Sequence, residues 1–378
     1  MGHIRPFHVM ALLARARELE AAGRSVVHME IGEPDFPTAP AIVAAGRAAL
    51  EAGHTHYTPA AGLPALREAI AAFYGRRYGV TVAPGRVIVT PGASGALQLV
   101  LAALVNPGQA VMLTDPGYPC NRNFVHLVDG EPVAVPLDAA GGYRLRPEPA
   151  AAAWVQGAAA LLVASPANPT GSVLSAGDLE GLFAVAEQRG ARLVVDEIYH
   201  GLTYRAPSPT AAAVSDRVFV VNSFSKYFGM TGWRLGWVVA PPEYVEALER
   251  LAQNLFLSAP TPAQHAALAA FTPDAVEVLE ARRRAFEERR DYLLPALRDL
   301  GFDIPYTPEG AFYLYADCSR LATDSFAFAG ELLEQAGVAI TPGIDFEIGS
   351  PRRHVRFAYT TSLEQLEEGV DRLAAHLA

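Results

Sequence analysis

The chain has 378 residues, 51% hydrophobic and 19% charged, with a formal net charge of -10. That mix excludes a disordered or collagen-like chain, and the length allows a large core and two domains. The acidic balance argues against nucleic acid or an anionic membrane as a general partner, since both reward positive surface.

Of the 30 basic residues 29 are Arg, and Lys226 is the only Lys. Arginine stays protonated at any working pH, whereas lysine can lose its proton and act as a nucleophile or base. On the count alone, a chance surface lysine and a functional one stand level. Cys120 and Cys318 are far apart and in no metal-ligand spacing, so no disulfide framework is expected. Arg15 and Arg17 interrupt the first apolar stretch, which removes a signal-peptide core. The longest apolar runs, 99–105 and 158–164, fall well short of the ~20 residues of a spanning helix. A soluble, cytoplasmic setting is expected.

In chain order, seven segments read as buried strands: 86–90, 110–114, 132–136, 159–164, 192–196, 217–221 and 235–239. Most are valine-rich and bounded by Pro, Gly, Asn or Asp. Helix-like stretches such as 94–104 and 175–189 lie between them. This alternation predicts an α/β fold with a mostly parallel sheet covered by helices. After Pro241 the pattern changes. A charged helix is expected over about 273–300, with Arg282, Arg283 and Arg284 as a solvated face. Strands at 311–315, 338–341 and 354–359 predict a smaller α+β domain. The expected division is a large domain over 45–275, with 1–44 and 276–378 forming the small one.

Several motifs fail. Ser223-Phe224-Ser225-Lys226 matches S-x-x-K, but its K-T-G partner is impossible with one lysine. Residues 92–96 lack the final glycine of a nucleophile elbow. There is no G-x-G-x-x-G, Walker A or H-E-x-x-H.

Four segments at predicted strand ends survive together, where α/β proteins place ligands. Residues 90–97 run from a strand through a small-residue turn into a helix near Ser94, a possible phosphate site or an ordinary turn capped by Ser94. Asp196 ends an apolar strand, an expensive place for a carboxylate without a cation or donors, and Tyr199 follows three residues later. Asn168 lies between Pro166 and Pro169. The stretch 223–236 carries Lys226 and then Arg234 among glycines. Jointly they offer what a phosphorylated aldehyde cofactor requires: a Schiff-base lysine, an acid for a pyridinium nitrogen, and donors for phosphate.

Over nearly its whole length the sequence resembles the fold-type I pyridoxal-phosphate enzymes, specifically the class I/II aminotransferases of the aspartate aminotransferase fold. The resemblance rests on 223–236, Asn168-Pro169-Thr170-Gly171 and Asp196-Glu197-Ile198-Tyr199. It implies that Lys226 is the Schiff-base lysine and Asp196 the partner of the pyridinium nitrogen. Tyr199 and Asn168 would bond the ring's phenolic oxygen. Ala93, Ser94, Ser223 and Arg234 would hold the phosphate, and Tyr118 would stack on the ring. Tyr57 matches a tyrosine that reaches the phosphate of a neighbouring subunit, which implies a homodimer with shared sites. Gly32 would lie beside the substrate carboxylate, and Arg356 would grip it with its bidentate fork.

The implied activity is transfer of an amino group from an L-amino acid (aspartate, aromatic or alanine-like) to a 2-oxo acid such as 2-oxoglutarate. Same-fold C–S lyases and an inactive cofactor-binding homologue stay open. A regulator would need a DNA-binding region ahead of Gly32, for which about thirty residues are expected to be too few. A dicarboxylic donor needs a second cation, for which Arg5, Arg122 and Arg144 are candidates. Ile4, Phe7 and Met10 could instead close over the pocket and suit a neutral or aromatic side chain.

Overall fold

The computed structural model describes residues 8–378, so Ile4, Arg5 and Phe7 lie outside the described residues. All seven predicted central strands form: β1 (Val87–Thr90), β2 (Ala110–Asp115), β3 (Glu131–Pro136), β4 (Ala160–Ala164), β5 (Arg192–Asp196), β6 (Phe219–Ser223) and β7 (Gly236–Val239). They pair in the order β1-β7-β6-β5-β4-β2-β3. Only β7 runs against its neighbours. The remaining pairs are parallel.

The residue alternation explains why both faces are covered. Val89, Met112, Leu161, Val195, Val220 and Trp237 face one core, while Ile88, Val111, Leu162, Val194, Val221 and Val238 face the other. A strand buried on both faces must be apolar at every position, which is why these segments read as continuous runs. The parallel direction brings the C-terminal ends of β1, β4, β5 and β6 to one edge.

Helix α1 (His8–Ala21) precedes this sheet. Helix α2 (Gly92–Leu104) follows β1 and is buried over most of its circumference. Helix α3 (Ala176–Gln188) starts with a capping box, Ser175 and Asp178 satisfying each other's backbone N–H. Helix α4 (Pro273–Asp299) matches the predicted long helix. Its polar face is not simply solvated: Arg283 bonds Glu280 and Glu287, and Arg282 lies over the Phe36 ring. Arg289 makes a two-pronged pair with Asp35 at 2.9 and 2.8 Å.

Beyond α4 a three-stranded antiparallel sheet forms from β8 (Tyr313–Asp317), β9 (Thr341–Pro342) and β10 (His354–Ala358), in the order β9-β10-β8. The predicted strand 338–341 is split, because 338–339 pairs instead with residues 27–28.

Candidate active site

A cavity of about 270 Å³ opens at the C-terminal strand edge. Lys226, Asp196, Asn168, Tyr199, Arg234 and Arg356 all line it. So do Gly32, Ala93, Ser94, Tyr118 and Ser223. Eleven of the twelve residues singled out from sequence therefore meet in one place. Tyr57 does not; it is 81% exposed and outside the cavity.

Lys226 follows β6 by three residues. Its Nζ donates to Gly32 O at 2.7 Å and sits 5.9 Å from the centre of the Phe312 ring. Burial pulls the ammonium down to about 8, helped by Arg356 and Arg234 and opposed by Glu33 and Asp196. An amine in that range is partly neutral near physiological pH, as a base must be.

Asp196 closes β5 at 4% exposure. It accepts Ile198 N–H at 3.1 Å. Burial pushes its carboxyl up to about 7, against the pull of that N–H and of Lys226. A carboxylate kept this dry gains most from a cation delivered into the cavity.

Asn168 and Arg356 form one unit. Arg356 Nη1 donates to Asn168 Oδ1 at 2.9 Å, and Nη2 donates to Glu30 O at 2.6 Å. The guanidinium lies between two rings, 4.2 Å from the centre of Tyr313 and 4.6 Å from that of Phe346. It is 3% exposed, Nε has no partner among the described residues, and its bonds there go to an amide, a backbone carbonyl and the Thr341 hydroxyl rather than to a carboxylate. A buried, unneutralised arginine is a site for an anion.

At the opposite wall, α2 begins two residues earlier than expected. Pro91 holds the N-cap position, with no side-chain cap, so Ser94 is inside the first turn rather than capping it. The first-turn N–H groups of such a helix lack intrahelical acceptors. Arg234 lies against this turn: a Cβ added to Gly92 would be 2.7 Å from its Nη2. Arg234 itself has φ 54°, in the left-handed region costly for a side chain, and Nη1 is held by Thr231 O at 3.0 Å. Ser223 Oγ lies 3.0 Å from Ser225 Oγ and 3.2 Å from Leu235 O, so its proton serves local bonds.

Two participants escaped the sequence reading. Tyr313 Oη lies 2.8 Å from Tyr199 Oη, and Ser225 joins the lining beside Ser223. Tyr313 sits in β8, where its tyrosine-rich surroundings read as core. Of the candidate second cations, Arg5 lies outside the described residues, and the other two are engaged by acceptors of their own. Arg144 pairs with Asp178 at 2.5 Å, and Arg122 donates to Asp345 O at 2.5 Å. Met10 does line the cavity, with Val9 beside it. Among the described residues no His, Cys, Asp or Glu group could hold a metal ion, and no helix is long and apolar enough to cross a membrane.

Comparison with known proteins agrees with this geometry. The family model described as aminotransferase class I and II matches residues 24–373. The valine–pyruvate aminotransferase of Mycobacterium tuberculosis is 38% identical, over 99% of this chain and 97% of that protein. The aspartate/prephenate aminotransferase of Thermus thermophilus is 37% identical, over 98% and 96%. A crystal structure of an aminotransferase from Mycobacterium tuberculosis superposes with TM-score 0.96 at 37% identity, covering 100% of this chain and 97% of that one. Aspartate aminotransferase from Thermus thermophilus with maleate gives 0.93 at 37% identity, covering 98% and 97%. The chain is a transaminase with the fold-type I architecture and belongs to the class I and II aminotransferase family.

Proposed function

We propose that this transaminase uses pyridoxal phosphate to move the amino group of an L-amino acid with a neutral, largely apolar side chain to a 2-oxo acid. The observation that carries the reading is one cavity holding the chain's sole lysine, a dry carboxylate and an arginine with no anionic partner among the described residues.

The residues present fit that cofactor. Asp196 offers a carboxylate for a ring cation. The first turn of α2, with Arg234 packed where a Cβ on Gly92 would stand, offers a cradle for phosphate. Bound there, the cofactor supplies an aldehyde carbon for amino groups and a cationic ring that withdraws electrons from the donor's Cα. Lys226 would hold the cofactor's aldehyde carbon with its amine, and as a neutral base it would take the proton from the donor's Cα. Asp196 keeps the ring nitrogen protonated. Asn168 presents its Nδ2 to the ring's phenolic oxygen, because Arg356 already occupies Oδ1. Tyr199 serves the same oxygen with Tyr313 as its hydrogen-bond partner. Tyr118 covers a ring face. Arg356 binds the donor's α-carboxylate beside Gly32.

The donor class rests on charge. A dicarboxylic donor needs a second cation, yet Lys226, Arg234 and Arg356 are the cavity's cations among the described residues, and each already has a task. Glu33 adds negative charge to the lining, and Val9, Met10 and Ile31 add apolar surface. The likeness to a valine–pyruvate aminotransferase supports the same class. The exposure of Tyr57 fits a homodimer in which it completes a neighbour's phosphate site.

Steady-state assays over a donor panel, with pyruvate and 2-oxoglutarate as acceptors, test this reading. Apolar donors should exceed aspartate in kcat/KM by about tenfold or more. Equal or better use of aspartate would overturn the donor class.

A further inference from the structure

Among the described residues, the leading turn of α1 is tied down by Asp345. Asp345, 3% exposed, accepts His8 N–H on Oδ1 at 3.0 Å and Val9 N–H on Oδ2 at 2.9 Å. His8 Nδ1 lies 2.8 Å from the same Oδ1. Two successive backbone N–H groups and one imidazole nitrogen thus converge on a single buried carboxylate, a docking that ties this end of α1 as described to the turn bearing Asp345. The two residues that follow His8, Val9 and Met10, line the active cavity. Farther along, α1 is docked differently: Ala16 and Leu19 pack with Leu333 and Ala339, and Arg15 bonds Glu334.

The turn bearing Asp345 reaches other walls of the same cavity. Its neighbour Phe346 covers the Arg356 guanidinium, and Phe346 O accepts Gly117 N–H at 2.9 Å next to Tyr118. The carboxylate is thus built into the same short segment that backs the carboxylate-binding arginine.

We propose that Asp345 is a positioning residue that latches the first turn of α1 over the cavity, and so sets the preference for donors with long apolar side chains. Val9 and Met10 gain contact with a leucine side chain and little with a methyl group, because apolar contact scales with the surface buried. The proposal rests on the transaminase reading above and deepens it.

The test uses the cofactor-loaded full chain. Wild type, Asp345→Asn and Asp345→Ala are compared as the ratio of kcat/KM for L-leucine to that for L-alanine. Asp345→Ala should lower the ratio about tenfold. Asp345→Asn keeps an acceptor for one N–H and should lose about threefold. Alanine turnover and the visible cofactor band should stay within about twofold of wild type, which a general loss of structure would not allow. Ratios within twofold of wild type in both variants would overturn the latch. If Asp345→Ala does not fold, hydrogen exchange in Asp345→Asn decides. Faster exchange at residues 8–12 with an unchanged central sheet supports the latch, and unchanged exchange there overturns it. A wild-type chain with neither cofactor band nor transamination would instead sink the underlying reading, whatever the variants did.

Discussion

Arg356 and Asn168 are bonded to each other, Nη1 to Oδ1 at 2.9 Å, so the residue proposed for the substrate carboxylate orients the one proposed for the cofactor oxygen. Both are buried. Arg356→Lys should therefore do two kinds of damage. It loses the planar fork for the α-carboxylate and frees the Asn168 amide to turn. KM for amino donors is expected to rise at least about tenfold, which is ~1.4 kcal/mol. In a double-mutant cycle with Asn168→Ala, the two losses should depart from additivity by more than about 0.5 kcal/mol. Simple additivity would mean that the bond does not couple the two tasks.

Asp196→Asn is expected to cut turnover on the order of 10²–10⁴-fold, because the ring nitrogen of the proposed cofactor would lose its counter-ion. Its effect on stability without cofactor should run the other way. The folded-state value of about 7 lies above the ~3.9 of an unfolded chain. The folded protein therefore holds an extra proton between those values, and stability falls as pH rises through that window. Asparagine has no such penalty. The melting temperature of the cofactor-free variant minus that of wild type should grow from pH 4 to pH 7 and level off above. A difference that stays flat with pH would contradict the buried carboxylate.

Gly32 allows a close approach that no other residue permits. A Cβ there would stand 1.9 Å from Tyr313 Oη, the hydroxyl that bonds Tyr199. Gly32→Ala must push Tyr313 away, and kcat/KM should fall about 10- to 100-fold with the fold retained. Tyr313→Phe in the same chain removes the closest colliding atom, leaving Cζ at 2.9 Å, and should restore part of the loss. A Gly32→Ala enzyme within twofold of wild type would contradict the tight packing of this wall.

Lys226 should titrate low. With its ammonium pulled down to about 8, chiefly by burial, an amine-reactive reagent should label Lys226 in the cofactor-free chain with a half-maximal rate near pH 8. Below that the amine is protonated and inert, and above it reactive. An ordinary lysine would show the midpoint near ~10.4. Peptide mass spectrometry separates this label from that on the chain's α-amino group.

The parts of the fold and site that were legible were those encoded locally. The inner strands declared themselves because burial on both faces demands apolar residues without interruption, whereas the edge strand β3, with only Val135 buried, showed through its prolines and valines. Asp196 stood out as a charge at the end of such a run, and Lys226 as the one basic position not filled by arginine. What stayed hidden depends on crossings between distant segments. Arg289 pairs with Asp35 across 254 positions, so an arginine on a charged helix could not be read as buried. Asp345 meets His8 and Val9 across the whole chain, and Tyr313 meets Tyr199 from another sheet. Arg122 and Arg144 looked available for a substrate only until each found an acceptor nearby. The start of α2 was missed by two residues because small residues after a strand do not say which of them turns first.

The most direct test is borohydride reduction of the cofactor-saturated chain, followed by peptide mapping. The expected result is loss of the visible cofactor band and one stable adduct per chain, on the peptide containing Lys226, the only side-chain amine in the protein. An unmodified Lys226 in saturated, reduced protein would contradict it.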